Sequence, residues 1–405
     1  MRALVVRAAC AAAIWPAIAG AQTLSLTEAE AVARFSVQSP RVEAVRAAVD
    51  VLRADATAAG RWPNPTVMFN RESVAAATEH MVLVAQRLPV TGRRRLEMEA
   101  AEARVGAGAS RADEQVRRLR ADLRLAFIDL WLAQTREREL ARSRGRVEEL
   151  AAVLARREMT GDSAGFDRLR SEREVIDLDA DRSNAAVERA RAQGALASYF
   201  AAAPDVPIVE AVIDRRPPVS PPAVDELVAR ATARGAFMAL ERDREAAVLA
   251  ERAAARRVVP EPEIVAGTKS SNLAGGDVGS VVSVHVTVPL FDRFASERAA
   301  ARARAAQARA ESDALQASVR AQVAAWRTAV IERRETAVRY RAAVAAGAEI
   351  ERIAQVSYDA GERGILELLD AYRTATAARL RQEALDAGVR EAEIELEFVS
   401  GWEAR

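Results

Sequence analysis

The chain has 405 residues, of which 29% are charged and only 4% aromatic, and its 59 basic and 58 acidic side chains nearly cancel. This balance gives no basic surface to recruit nucleic acid. Abundant alanine, arginine and glutamate with so few aromatic residues is typical of long helices that touch along narrow seams, and unlike a compact globular core.

The first 21 residues have the pattern of a secretory signal. Arg2 and Arg7 form a positive end, an apolar stretch covers residues 8–18, and small residues precede Gln22 as a cleavage site. Cys10 is the only cysteine and lies inside this segment, so we expect a mature chain without disulfides or thiolate metal sites. After residue 21 no run of 18 apolar residues predicts a transmembrane helix.

Residues 22–203 are predicted to form a first repeat. Its start, residues 27–60, has a helical pattern interrupted only by Pro40. Two strands follow, at about 66–72 and 81–88, joined by a polar loop. Apolar residues at steps of three and four then predict a helix over about 95–159 that buries a single seam. A turn at Gly161 leads into a second long helix, about 166–200.

Residues 204–222 hold six of the fourteen prolines and are predicted to link two copies of one plan. The second repeat, residues 223–405, has a helical pattern over 224–257 and strands at about 263–269 and 279–288. Its long helices are predicted at about 295–358 and 365–400.

Recurring short segments identify the duplication. Trp62-Pro63-Asn64-Pro65 returns as Val259-Pro260-Glu261-Pro262, 197 positions later. Leu88-Pro89-Val90 returns as Val288-Pro289-Leu290, and Gly161 as Gly361, each 200 positions later. Two equal units in one chain predict a pseudo-symmetric building block that assembles with copies of itself.

The predicted strands do not complete a sheet alone. In residues 282–288 valine takes every second place and polar residues the others, so one face is apolar. A membrane barrel gives this alternation, and so does a half-buried strand of a soluble sandwich. Four strands cannot close a barrel, whereas twelve strands from three chains enclose a water-filled lumen.

On these features the chain resembles the TolC-type outer-membrane channels, the exit ducts of tripartite efflux pumps and type I secretion systems. The resemblance covers nearly all of the mature chain, and its most specific stretch is residues 357–371 (SYDAGERGILELLDA). Residues 86–94 (QRLPVTGRR), preceded by Pro63-Asn64-Pro65, look most like the heavy-metal-efflux branch.

The resemblance implies a mainly α fold with a small β part. It implies a homotrimer whose strands form a 12-stranded barrel in outer-membrane lipid above a helical periplasmic tunnel. A periplasmic adaptor and an inner-membrane transporter dock at the closed periplasmic tip, and the channel itself performs no chemistry. No cofactor, metal site or catalytic constellation is expected, since His80 and His285 are isolated.

The resemblance also assigns roles at the tip. Glu367 and Asp370 match the family's constricting acidic rings, and three copies of each would form a negative collar that favours cations. Solvated helix-face charges give the same pattern. Arg170, a cation, stands where the first repeat would match Asp370. The links that close the tip match Asp167, Tyr358 and Arg363, and the tip turns match Gly161, Gly361 and Gly364.

Two other classes compete with an efflux duct. A type I secretion duct has the same plan, so the sequence does not name the cargo. A soluble periplasmic coiled-coil adaptor or scaffold is the second, although an adaptor usually carries one helical hairpin between β domains. An enzyme lacks any supporting motif, because no phosphate loop or nucleophile and base pairing is present.

Overall fold

The computed structural model describes residues 23–75, 77–160, 165–200, 208–214, 217, 219–272 and 276–403. The predicted signal peptide and the turn residue Gly161 lie outside these described residues. Within them, helices dominate. They are α1 (Glu28–Gln38), α2 (Pro40–Ala59), α3 (Arg93–Met159), α4 (Gly165–Ala197), α5 (Val224–Thr232), α6 (Gly235–Arg256), α7 (Ala295–Asp359) and α8 (Ile365–Ser400).

The longest helix, α3, has 67 residues, which is about 100 Å at 1.5 Å per residue. Leu123, Phe127 and Leu130 follow one another at steps of four and three and are fully buried. Ile128, Trp131 and Ala133 are buried as well, and α3 packs against α2, α4, α6 and α8, so it buries more than the single seam predicted from the sequence. α7, with 65 residues, is the matching long helix of the second repeat and buries a narrower stripe.

Each predicted helix that precedes a hairpin is divided into two. Residues 27–60 form α1 and α2 with a break at Ser39, because Pro40 lacks an amide hydrogen and favours the first position of a helix. Residues 224–257 form α5 and α6, which are separated at Ala233 and Arg234.

The strands β2 (Thr66–Val74), β3 (Ala77–Arg87), β5 (Pro262–Ser271) and β6 (Val278–Val286) form one antiparallel sheet in the order β2-β3-β5-β6. Each repeat contributes a hairpin, and β3 pairs with β5 between the repeats, with Ala85 opposite Val265. β2 and β6 are therefore the two open edges of this sheet.

The two faces of the sheet differ. Val282, Val284 and Val286 of β6 are exposed, and Phe69 and Val84 continue the same apolar face on β2 and β3. The opposite face is partly buried and carries an ion pair between Lys269 and Glu79, 2.6 Å apart. The valine alternation of the sequence thus produces one apolar and one mixed face.

A second, two-stranded sheet was not predicted from the sequence. β1 (Thr23–Thr27) pairs in parallel with β4 (Ile208–Val212), which lies inside the predicted proline-rich linker. The Gln134 side chain completes the hydrogen bonds of β4, donating to Val209 O (2.7 Å) and accepting from Ala211 N (3.0 Å). Five-residue strands formed by distant segments leave little local signal.

A polar cluster joins the four-stranded sheet to the helices. The Thr91 hydroxyl donates to Glu261 (2.7 Å), and Arg93 at the start of α3 donates to the same carboxylate (3.0 Å). Burial alone would raise the pKa of Glu261, but these hydrogen bonds and the charges of Arg93 and Arg87 hold it below its usual value. The sheet is thereby fixed at one end of the α3 and α7 hairpins.

Candidate functional site

The candidate site is the opposite end of the helices, where α7 turns into α8. The chain reverses at Gly361, whose φ of +74° is left-handed and suits glycine. The backbone amides of Glu362 and Arg363 donate to Ser357 O at 2.9 and 3.3 Å, which closes the turn. Gly364 is extended (φ −86°) and serves as the N-cap of α8.

Glu367 and Asp370 lie on the exposed face of the first turns of α8, three positions apart. The other face is fixed by Ile365, Leu368 and Leu369, which are buried against the neighbouring helices. A helix N-terminus favours negative charge, so acidic side chains suit these positions. Neither joins an ion pair within the described part of the chain. Arg170 is exposed on α4.

The three predicted closing residues are only partly brought together. Tyr358 is buried at the end of α7, with the Arg157 guanidinium 5.9 Å from its ring centroid. Burial raises the pKa of the Tyr358 phenol, Arg157 opposes this shift, and the nearby Asp167 carboxylate adds to it. Asp167 of α4 therefore lies close to Tyr358. Arg363 is exposed, and its backbone amide donates to Ser357 O.

Arg157, Glu174 and Arg373 also join the two hairpins and were not predicted from the sequence. Arg373 of α8 donates Nε to Glu174 Oε1 of α4 at 2.7 Å, and the second nitrogen completes a bidentate pair. The Glu174 side chain is 7% exposed. The sequence does contain a signal for Glu174. It lies three positions after Ser171 and four before Leu178, so helical spacing places this carboxylate on the face of α4 that is buried.

A second group of polar contacts lies farther from the tip along the same helices. Glu351 of α7 pairs with Arg146 of α3 and with Arg379 of α8, the latter at 3.2 Å. Arg379 also reaches Glu139 of α3 at 3.3 Å. Burial and the neighbouring Arg379 lower the pKa of Arg146. Charge pairs between hairpins thus surround the buried apolar cluster that joins α3, α4, α7 and α8 at this end.

The two histidines and the acidic side chains of the described residues do not assemble into a metal site. His80 stacks on Phe69, with ring centroids 6.2 Å apart, and His285 lies 3.4 Å from the Ser283 hydroxyl. Within the described ranges, no three His, Cys, Asp or Glu side chains gather into a group that could bind a metal ion. Across the same ranges, no helix combines the length and apolarity needed to span a bilayer.

Comparison with solved structures gives close matches over almost the whole chain. A membrane protein from Pseudomonas aeruginosa superposes with a TM-score of 0.79 at 19% identity, covering 92% of both chains. The Campylobacter jejuni outer-membrane channel CmeC also gives 0.79, at 11% identity, over 92% of this chain and 85% of that one. CusC, solved in a study of transmembrane channel formation, gives 0.75 at 16% identity, over 93% and 92%.

The fold is that of the outer-membrane channels. The TolC-type fold predicted from the sequence is therefore confirmed for the single chain. No protein-family model matches the sequence, and no curated protein is similar to it by sequence. In the outer-membrane channel fold, the tip described above is the end of the helices remote from the four-stranded sheet.

Proposed function

We propose that this protein is the passive outer-membrane exit duct of a tripartite efflux system, a TolC-type channel that carries small solutes from the periplasm to the outside. The observation that supports this most strongly is the four-stranded sheet at the end of hairpins about 100 Å long. The sheet has an exposed apolar face and two open edges, β2 and β6.

An open sheet edge is unstable in lipid, since every backbone polar group there needs a partner within the protein. Three copies would supply twelve strands and remove all edges. The apolar face would then contact outer-membrane lipid, and the face with Lys269 and Glu79 would line the lumen. The homotrimer is thus the assembly that best fits the sheet.

The tip fits a docking and gating role. Phe166, Leu169 and Leu366 are large apolar side chains near the tip turns, with exposures of 62, 59 and 48%. Exposed apolar groups of this kind favour protein partners, in this proposal a periplasmic adaptor that couples the duct to an inner-membrane transporter. The duct itself supplies no energy.

The charge of the side chains at the tip suggests the class of cargo. Glu367 and Asp370, repeated three times around an axis, would give a negative collar that passes cations more readily than anions. This agrees with the resemblance of residues 86–94 to the heavy-metal-efflux branch, so metal cations are the first cargo class to test. A metal in transit is cargo, and the proposal needs no tight binding site.

Membrane insertion can be tested by placing a charged side chain on either face of β6. Val282 lies on the apolar face of β6 and Ser283 on the opposite face. Arginine on the lipid side of a barrel costs about 2–4 kcal/mol near the bilayer centre, whereas lumen positions tolerate it. We expect Val282→Arg to abolish recovery in the outer-membrane fraction and Ser283→Arg to retain it. Equal recovery of both variants would contradict the lipid-facing position of Val282. A parent protein soluble without detergent would instead favour a soluble periplasmic scaffold.

A further inference from the structure

The apolar face of the four-stranded sheet ends in a row of polar residues. Successive side chains of a strand point to opposite faces, so residues that are paired across neighbouring strands form rows on one face. Near the middle of the apolar face, one row consists of Val67, Val84, Ala266 and Val282. Two rows farther from the helices, the row consists of Arg71, His80, Ser270 and Val278. We call this second row the Arg71 row.

The two faces of the sheet differ in their ionisable groups. Among the residues of the four strands, all of which the structure describes, Arg71 and His80 are the only ionisable side chains on the apolar face. The carboxylates of these strands lie on the opposite face and belong to Glu72, Glu79 and Glu263. Arg71 and His80 are both exposed, and neither forms an ion pair within the described part of the chain. The apolar face therefore presents basic groups without an acidic neighbour.

The position of the Arg71 row along the strands suits the headgroup region of a membrane. The row that contains Ile264 and Val284 lies three rows closer to the helices, which is about 20 Å at about 3.4 Å per residue. The apolar band of a membrane barrel is about 25 Å tall, and an arginine on its outer face is costly at the bilayer centre but nearly neutral at the interface. In the proposed duct, Arg71 therefore lies at the interface remote from the helices.

We infer that Arg71 and His80 bind the phosphate group of a lipid headgroup in the outer leaflet, the leaflet remote from the helices. The inference rests on the proposed outer-membrane duct and adds a lipid-binding site to it. A lipid is the expected ligand because the two basic residues continue a surface that faces hydrocarbon in that proposal. Basic groups beside a membrane attract anionic headgroups.

The donors of this site fit a phosphate group. Arg71 and His80 lie directly opposite each other in β2 and β3, which places their Cβ atoms about 4.5–5.5 Å apart. A guanidinium donates two parallel N–H groups to phosphate oxygens, and these charge-assisted bonds are stronger than neutral ones. The imidazole donates an N–H in either of its charge states. Two side chains at this spacing can share one phosphate.

Hydroxyl groups extend the site toward the turn of the first hairpin. Ser73 and Thr78 form the next row of the same face, and their hydroxyl oxygens lie 3.0 Å apart. A hydroxyl is both a donor and an acceptor, so this pair can add a hydrogen bond to a phosphate oxygen above Arg71. Polar donors thus continue on the first hairpin beyond the apolar rows.

An aromatic ring supports His80 at the border between the apolar and polar rows. The Phe69 ring stacks on the imidazole, with ring centroids 6.2 Å apart and an interplanar angle of 26°. Phe69 is 66% exposed, so an acyl chain can contact it. Aromatic residues are typical of the interfaces of membrane barrels. A lipid presents its phosphate and its acyl chains in the same order as the sheet presents Arg71 and Phe69.

The test is lipid retention by the full mature protein, measured by native mass spectrometry after reconstitution in phosphatidylcholine vesicles that contain bisphosphorylated lipid A. We expect the parent protein to retain this lipid and to retain dephosphorylated lipid A less. Arg71→Ser should lower retention of the phosphorylated form about fivefold, the effect of one basic residue beside an anionic lipid surface. Arg71→Ser/His80→Ser should lower it further, whereas Arg71→Lys, which keeps the charge, should preserve most of it.

Lys269→Ser is the matched control. Lys269 directly precedes Ser270 of the Arg71 row but lies on the opposite face, where it pairs with Glu79. The substitution removes one positive charge from the same sheet and should leave lipid A retention at the parent level. Inorganic phosphate at the same concentration should not displace the lipid, because it lacks the acyl chains that contact the apolar rows.

Two results would overturn the lipid site and leave the proposed duct intact. One is equal retention by the parent protein and the double variant, or of the phosphorylated and dephosphorylated lipids. The other is displacement of the lipid by inorganic phosphate, which would show that the acyl chains contribute nothing. A parent protein that does not enter the vesicles would overturn both the site and the duct.

Discussion

At the scale of single residues, a partly buried carboxylate ties the N-terminal helix to the long hairpins. Arg390 of α8 donates to both oxygens of Glu28 at 2.7 and 2.9 Å, and Arg124 of α3 pairs with the same group. Burial would raise the pKa of Glu28, but the hydrogen bonds and charges of Arg390 and Arg124 outweigh it and lower the pKa below 4.5. The ionised form is thus the one that the fold stabilises.

Glu28→Gln should therefore destabilise the protein in a pH-dependent way. A carboxyl whose pKa is depressed by folding contributes stability above its unfolded pKa and loses it as pH falls through the folded pKa. At pH 7 we expect a loss of about 2 kcal/mol, typical of a charged hydrogen bond, and a lower melting temperature followed by circular dichroism. At pH 3 the difference from the parent protein should shrink.

Glu43→Gln provides the matched control for that experiment, because Glu43 is an exposed acidic residue in the first turn of α2. It should leave the melting temperature unchanged at both pH values. A Glu28→Gln deficit that is as large at pH 3 as at pH 7 would show that packing, and not the charge of Glu28, stabilises this junction.

At the scale of elements, the two hairpins meet near the tip through a buried apolar cluster and a small set of ion pairs. Glu174 of α4 bonds to Arg373 of α8, whereas the nearby Glu172 bonds to Arg168 of its own helix at 2.8 Å. Removing the first contact separates two hairpins, and removing the second affects one helix only. We expect Glu174→Gln to raise the resting conductance of the channel in planar bilayers and Glu172→Gln to leave it at the parent level. An equal effect of both changes would argue against a latch between the hairpins.

Most elements were predictable because their signals are local and long. The seam of α3, the valine alternation of β6 and the proline steps before each hairpin gave helices and strands close to their observed bounds. The division at Ser39 was missed because only the single Pro40 signals it. The pair Glu174 and Arg373 could not be predicted from spacing, since it joins residues of two different helices that come together only in the folded chain.

The candidate site is only partly predictable from the sequence, because some of its contacts join residues of different helices. The turn at Gly361 requires a left-handed backbone, which glycine signals directly. The positions of Glu367 and Asp370 on one exposed face follow from helical spacing. Whether they line a constriction depends on symmetry-related copies, so their role stays a prediction, as do the closing roles of Asp167, Tyr358 and Arg363.

At the scale of the whole molecule, the single chain leaves its four-stranded sheet incomplete. β2 and β6 are the open edges of this sheet, and the fold is shared with outer-membrane channels. The proposed trimer would pair these edges. In that proposal the assembled lumen conducts solutes through an acidic tip.

The most direct test of that claim is single-channel conductance of the detergent-purified mature protein in planar bilayers, compared with the Glu367→Ala/Asp370→Ala variant. We predict discrete, cation-selective openings in the parent protein and a loss of selectivity in the variant, because the variant lacks the two exposed carboxylates at the tip. A protein that is soluble without detergent and never inserts into the bilayer would contradict the account.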